Sequence, residues 1–237
     1  MIKNSGALGI LMLQDSAQTR PGTLFHPSTF PFPTICRRVS GAWVSNVVFG
    51  GEDDKMAAAF IAAAKELVRD GAVAITSNCG FTIKYQEAMT RALSVRVSMS
   101  SLLLLPYLAA TTKGRIGILS FDSRPLTTDV LRSAGVQSHD RIAIAGIEKS
   151  KTWQVVMAEP ENDRVLSKAT KSDNVGSQLA EDVLTAITLL RKRHDDIEVL
   201  LFECAGFPVV AQEVRKRTGL PVYDAVSNAK LLMDGLG

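Results

Sequence analysis

The apolar residues of this chain come in short unbroken runs, each stopping at a small or polar turn. Ala7–Leu13 stops at Gln14-Asp15, and Ala72–Thr76 at Ser77-Asn78-Cys79-Gly80. Arg115–Phe121 stops at Asp122-Ser123, and Glu198–Phe202 at Glu203-Cys204-Ala205-Gly206. Runs of this length without polar alternation read as strands buried on both faces, which implies a parallel sheet covered by helices. Helical patterns separate them. One is capped by Asp53 or Asp54, runs to about Arg69 and is closed by Gly71. Others are expected at Thr82–Leu93, Ser100–Thr111, Pro125–Ala134, Asp173–Lys192, from Pro208, and near Ala225–Met233. Further strands are expected at Ile35–Phe49, Val95–Ser98, Arg141–Ala145 and Leu220–Tyr223. This recurring order of strand and helix predicts an α/β fold.

The two halves echo each other. Gly9-Ile10-Leu11 leads to Asp15-Ser16, and 108 residues later Gly117-Ile118-Leu119 leads to Asp122-Ser123. The turn holding Cys204 follows its strand as the turn holding Cys79 does, 125 residues earlier. A duplication of one α/β unit explains both echoes and a length of 237 residues, which suits two lobes better than one. Two segments lie outside the repeat. Pro21–Pro33 alternates prolines with Phe25, Phe30 and Phe32 and reads as a long ordered loop. Glu148–Ser172 is polar and irregular, in the manner of an insertion or lid.

Composition excludes several classes of function. A formal charge of +3, with basic residues scattered along the chain, gives no nucleic-acid footprint. The cationic run Arg191–His194 is explained by a helix C-terminus facing solvent. Three dispersed cysteines form neither a disulfide framework nor a metal knuckle, and His26, His139 and His194 lack ligand spacing, so no metal is expected. The sequence carries no P-loop, no well-placed dinucleotide fingerprint and no zinc-protease motif, and no cofactor is expected. Lys3 with the apolar run after it mimics a signal peptide, but Gln14-Asp15 ends that run and no cleavage site follows. Leu102–Ala110 is too short for a membrane span and contains Pro106. Scarce thiols suit a reducing compartment, so a cytoplasmic protein is expected.

The chemistry therefore falls to Cys79 and Cys204; Cys36 has no matching position and reads as a bystander. Ligands of open parallel sheets sit beyond the carboxyl ends of the strands, where both thiols lie. A helix starting there would lower a thiol's pKa. Two thiols facing one carbon from opposite sides can act as base and acid in turn, with fixed donors holding the enolate-like charge. Ser77, Asn78, Gly80, Ser120, Ala205 and Gly206 supply candidate hydroxyl, amide and backbone donors. Glu203 either sets the protonation of Cys204 or caps the following helix; Asp15 and Asp122 either serve the site or close Asx turns.

The paired turns Ser77-Asn78-Cys79-Gly80 and Glu203-Cys204-Ala205-Gly206, within duplicated α/β halves, resemble the cofactor-independent aspartate/glutamate/hydantoin racemase superfamily. The resemblance implies two pseudo-symmetric Rossmann-like (flavodoxin-like) lobes with parallel sheets and the active site in the cleft between them. It implies residues 1–98 plus 209–237 as the first lobe and 99–208 as the second. It further implies Cys79 and Cys204 as the catalytic pair, a small carboxylate or hydantoin substrate, no pyridoxal cofactor, and a dimer as a common assembly. Glutamate racemases carry a glycine before and Thr-His after the second cysteine; Glu203 and Ala205-Gly206 stand here instead, closer to hydantoin-racemase-like members. The expected activity is racemisation or epimerisation of an amino acid, hydantoin or related carboxylate. The alternatives are a maleate-type cis–trans isomerase with a nucleophilic cysteine and a non-catalytic bilobed ligand-binding module.

Overall fold

A computed structural model describes residues 6–14, 21–51, 53–158 and 174–236. They form two parallel sheets of four strands each. In the first lobe the elements run β1 (Ala7–Met12), β2 (Thr34–Arg38), α1 (Val44–Val47), α2 (Asp54–Arg69), β3 (Ala72–Ser77), α3 (Gln86–Ala92) and β4 (Arg96–Ser98). In the second they run α4 (Leu105–Thr111), β5 (Arg115–Ser120), α5 (Thr128–Ser133), β6 (Ile142–Gly146), α6 (Lys151–Ala158), α7 (Asn174–Arg193), β7 (Ile197–Phe202), α8 (Pro208–Thr218) and β8 (Val222–Tyr223). A last helix, α9 (Ala225–Asp234), follows.

The expected duplication is present in the sheets. Their strand orders are β2-β1-β3-β4 and β6-β5-β7-β8, the same pattern twice. Even the irregularities match: the ladder shifts register between Ala7 and Leu8 in one sheet, and between Arg115 and Ile116 in the other. Gly9 pairs with Ile75, and Gly117 with Leu200. Neither glycine can carry a side chain without crowding its partner strand and the covering helix, at Leu67 in one lobe and Leu190 in the other. The close helix–strand approach in each lobe is the physical reason for the repeated glycine.

Alternation along β1 sends Leu11 towards α2, where Phe60, Ala63, Ala64 and Leu67 cover it. Leu8, Ile10 and Met12 face the other way, onto Leu24 and Phe30 of the Pro/Phe-rich loop and onto Ala225, Ala229 and Met233 of α9. That loop is thus a lid on one face of the first sheet, with Phe30 stacked on Phe32 at 4.8 Å.

Several expected elements end differently. The expected strand Ile35–Phe49 stops at Arg38, turns at Gly41 in the left-handed region (φ 73°), and re-enters as α1. The expected helices at Thr82–Leu93 and Ser100–Thr111 each begin as a 3-10 segment, Gly80–Tyr85 and Ser101–Leu104. Part of the stretch 148–172 is helical, as α6; residues 159–173 lie outside the described residues. The return to the first lobe also comes later than residue 209. Helix α8 packs Val210, Ala211 and Val214 into the second lobe's core, and β8 extends its sheet beside β7. Helix α9 crosses back, where Asn228 accepts a hydrogen bond from the Ser98 hydroxyl at 2.9 Å.

Candidate active site

Both cysteines stand just past the carboxyl ends of equivalent strands. The residue before each makes the same backbone bond: Asn78 N–H donates to Leu11, and Glu203 N–H donates to Leu119, both at 2.9 Å. Beyond each cysteine the chain enters the opposite lobe. Phe81 and Ile83, following Cys79, are buried among Ile116, Ile118, Val199 and Leu201 of the second lobe. Ala205, following Cys204, is buried among Leu8, Ile10, Met12 and Ala74 of the first. This reciprocal exchange of apolar residues draws the two turns together, burial on each side replacing exposure to water.

The contact is closest between Gly80 and Glu203. A Cβ on Gly80 would sit 2.2 Å from Glu203 Oε1 and 2.4 Å from its backbone carbonyl. Glu203 is only 2% exposed. Its Oε2 accepts a hydrogen bond from the Ser120 hydroxyl at 2.7 Å, while Oε1 is buried without a hydrogen-bond partner. Burial pushes this carboxyl up to about 7, against the opposing pull of the Ser120 bond.

Cys204 is half-buried and packs on the second lobe's core. Phe121 stacks on Trp153 at 4.6 Å and meets Phe207 at 4.7 Å, and Cys204 packs against this cluster. The N–H of Gly206 points at Cys204 Sγ at 3.3 Å. Sequence reasoning anticipated a thiol acidified by a helix terminus, and for Cys204 the structure corrects this. Its thiol is pushed well above the ordinary range, first by burial and then by the Glu203 carboxylate, with a smaller contribution from Cys79. The donors Gly206 and Phe207 oppose this without reversing it. Helix α8 starts only at Pro208, after a turn. Cys79, by contrast, directly precedes the 3-10 segment Gly80–Tyr85, and its carbonyl accepts from the Thr82 hydroxyl at 2.6 Å.

The remaining candidates are mostly committed locally. Ser77 Oγ accepts from Cys79 N–H at 3.4 Å, and Asn78 Oδ1 accepts from Leu13 N–H at 3.1 Å. Ser120 spends its proton on Glu203, and Gly206 lies against Phe121 and the Cys204 sulfur. Asp122 is tied to Arg124, whose guanidinium holds the carboxyl below its usual range. Asp15 lies outside the described residues. Cys36 is exposed on β2, an edge strand of the first sheet. The aromatic cluster beside Cys204 has one signal in the sequence, Phe121, one residue beyond β5. Among the described residues no group of side chains is arranged to hold a metal ion. None of their helices is long and apolar enough to cross a membrane.

Two parallel-sheet lobes with a cysteine turn at each facing edge define a known architecture: the chain has the fold of the aspartate/glutamate/hydantoin racemase superfamily. It superimposes on allantoin racemase from Pseudomonas fluorescens with a TM-score of 0.60 at 17% identity, covering 97% of this chain and 90% of that one. Against unliganded arylmalonate decarboxylase the TM-score is 0.58 at 16% identity, covering 98% and 94%. Against a glutamate racemase from Bacillus anthracis it is 0.57 at 14%, covering 99% and 82%. No protein-family model matches the chain.

Curated relatives point elsewhere. The chain is 29% identical over 236 residues to dimethylsulfoniopropionate lyase from Durusdinium sp. clade D, covering 97% of this chain and 74% of that protein. It is 27% identical over 239 residues to dimethylsulfoniopropionate lyase 7 from Emiliania huxleyi (strain CCMP1516), covering 97% and 67%. It spans 61% of the length of a third, dimethylsulfoniopropionate lyase 3 from the same strain. These are lyases, and they overturn the expected isomerase, whether racemase, epimerase or cis–trans isomerase. The expectation failed because one fold serves proteins that break different bonds.

Proposed function

We propose that the chain is a carbon–sulfur lyase that eliminates a neutral sulfide from a small sulfonium carboxylate of the dimethylsulfoniopropionate type. The observation that carries this reading is the alignment of lyase relatives over 97% of the chain, both cysteine turns included. The chemistry suits the cleft. A thiolate takes the proton from the carbon beside the substrate carboxylate. The electron pair of that C–H bond becomes the new double bond, and the C–S bond to the sulfonium breaks with its pair going to sulfur. For dimethylsulfoniopropionate the products are dimethyl sulfide and acrylate; the proton rests on the thiol and then passes to solvent.

Racemisation needs an acid and a base of matched standing on opposite faces, whereas this elimination needs one base. The sulfide departs neutral, so no group must protonate it. Burial of the turns around both thiols strengthens the interaction of fixed donors with the charge developing on the carboxylate side. No cofactor is required by this route.

The test is direct. Purified protein incubated with dimethylsulfoniopropionate should release dimethyl sulfide into the headspace, with acrylate appearing in equal amount by proton NMR. The double variant Cys79→Ser/Cys204→Ser should release none above the uncatalysed rate. Absence of sulfide from the wild type, or release undiminished in the double variant, would overturn the proposal.

A further inference from the structure

The pseudo-symmetry of the two lobes breaks at two aromatic positions. Leu13 and Phe121 are equivalent, each the first residue past its strand, β1 or β5. Thr82 and Phe207 are equivalent too: each lies three residues after a cysteine and donates its N–H to that cysteine's carbonyl, at 3.2 and 3.1 Å. The leucine and threonine of the Cys79 side thus become phenylalanines on the Cys204 side. Phe81, two residues past Cys79, is buried in the second lobe's core, whereas Phe121 is only half-buried. Phe121 rests on Trp153 and Phe207, both buried, which hold its ring in place. Gly206 locates one edge of that ring. A Cβ on this glycine would lie 3.1 Å from Phe121 Cε2, 3.6 Å from Phe121 Cζ and 3.5 Å from Cys204 Sγ. The ring edge and the Cys204 sulfur therefore border the same small space.

We infer that Phe121 is a specificity-determining residue for the elimination, its ring edge receiving the sulfur end of the substrate on the Cys204 side of the cleft. This assignment rests on the lyase reading, which supplies a substrate with unlike ends, a carboxylate and a dialkyl sulfonium. Two pseudo-symmetric lobes offer such a substrate two orientations, and a wall of rings on one side selects between them. The ring edge also suits the direction of reaction. An aromatic ring is negative on its faces and positive on its edge, so the edge gives little to a sulfonium cation. As the C–S bond breaks, its electron pair passes to sulfur, and the cation becomes a neutral thioether. Thioether sulfur at a ring edge is a favourable contact. The contact therefore strengthens towards the transition state, which is the kind of contact that raises kcat. The same edge, beside the bare Gly206, limits the size of the alkyl groups on sulfur.

The experiment compares sulfide release from dimethylsulfoniopropionate and from its diethyl analogue. Wild type should favour the dimethyl substrate in kcat/KM, and Phe121→Ala should shrink that preference about tenfold or more by opening the space the ring borders. Leu13→Val, at the equivalent position of the first lobe, should leave the preference unchanged. Phe121→Leu keeps bulk but loses the ring; it should lower kcat for the dimethyl substrate by about two- to tenfold with KM little changed, and it decides if the alanine variant fails to fold. Titration calorimetry reads the contact without turnover, using 3-(methylthio)propionate and pentanoate, which differ by sulfur in place of a methylene. Wild type should bind the thioether more tightly, and Phe121→Leu should bind both alike. An alkyl preference that survives in Phe121→Ala, an equal shift from Leu13→Val, or equal affinity of the wild type for thioether and hydrocarbon overturns the inference. A thioether preference lost in Phe121→Leu, without any sulfide from the wild type, would remove the lyase reading and leave the sulfur subsite standing. Sulfide release with an alkyl preference indifferent to Phe121 would remove only the subsite.

Discussion

Gly80 and Glu203 touch across the two lobes so closely that no side chain fits at residue 80: a Cβ there would lie 2.2 Å from Glu203 Oε1. That contact fixes the spacing of the turns carrying Cys79 and Cys204. Gly80→Ala should therefore push the lobes apart as well as strain a backbone carbonyl 2.4 Å away. The expected loss is about 1–3 kcal/mol, read as a lower melting temperature, with lyase activity falling more than stability does. A variant as stable and active as wild type would show that the turns do not depend on this contact.

An elimination needs one base, so the two thiols should differ in what their loss costs. The variant that removes the base, Cys79→Ser or Cys204→Ser, should lower kcat for sulfide release by about 10²–10⁴-fold. The other variant keeps a hydroxyl donor and should retain more activity. Stopped headspace assays on both variants at one pH make the comparison; equal losses would argue for equal roles.

Stability should carry the signature of Glu203. Its carboxyl is raised to about 7 in the folded chain against an ordinary value of 4.5. The folded state thus holds this proton more tightly than the unfolded one, and between those two values unfolding free energy falls as pH rises. The contribution is complete below the lower value and lost above the upper. Thermal melts from pH 4 to pH 8 should show a steeper decline in wild type than in Glu203→Gln; parallel curves would contradict the assignment.

The duplicated glycines give a paired test of the repeat. A Cβ on Gly9 would lie 2.6 Å from Ile75 Cδ1 and 3.0 Å from Ala72 Cβ, whereas on Gly117 its nearest neighbour is Leu200 Cδ2 at 2.9 Å. Both alanine variants should be destabilised, Gly9→Ala the more, by about 1–3 kcal/mol in urea unfolding.

The return of α9 depends on a buried polar pair. Ser98→Ala would strand Asn228, whose Nδ2 already lacks a partner, and should cost about 1–3 kcal/mol. Limited proteolysis should then cut near residues 224–225 sooner than in wild type; unchanged cleavage would locate the docking energy in Ala225, Ala229 and Met233 instead.

Much of this arrangement is legible in the linear chain. The runs at Ala7, Ala72, Arg115 and Glu198 specify central strands because a strand buried on both faces admits no polar alternation. The turns after them expose Cys79 and Cys204 as a matched pair. Local signals mislead where short-range rules compete: Ile35–Phe49 alternates like a strand, yet Gly41 supplies a left-handed turn that ends it. Pro208 marks the start of α8 correctly but carries no information about which lobe that helix will cover.

The sequence by itself thus determined the parallel α/β units, their repetition and the two thiols, because strand burial and turn chemistry are written in neighbouring residues. Only the tertiary structure decided that Phe81 and Ala205 exchange lobes, that Gly80 meets Glu203, and that Glu203 loses its water. Those facts join residues far apart in the chain, Gly80 and Glu203 by 123 positions. Desolvation, which sets the protonation of Glu203 and Cys204, belongs to what surrounds a residue in space, and no spacing along the chain encodes it.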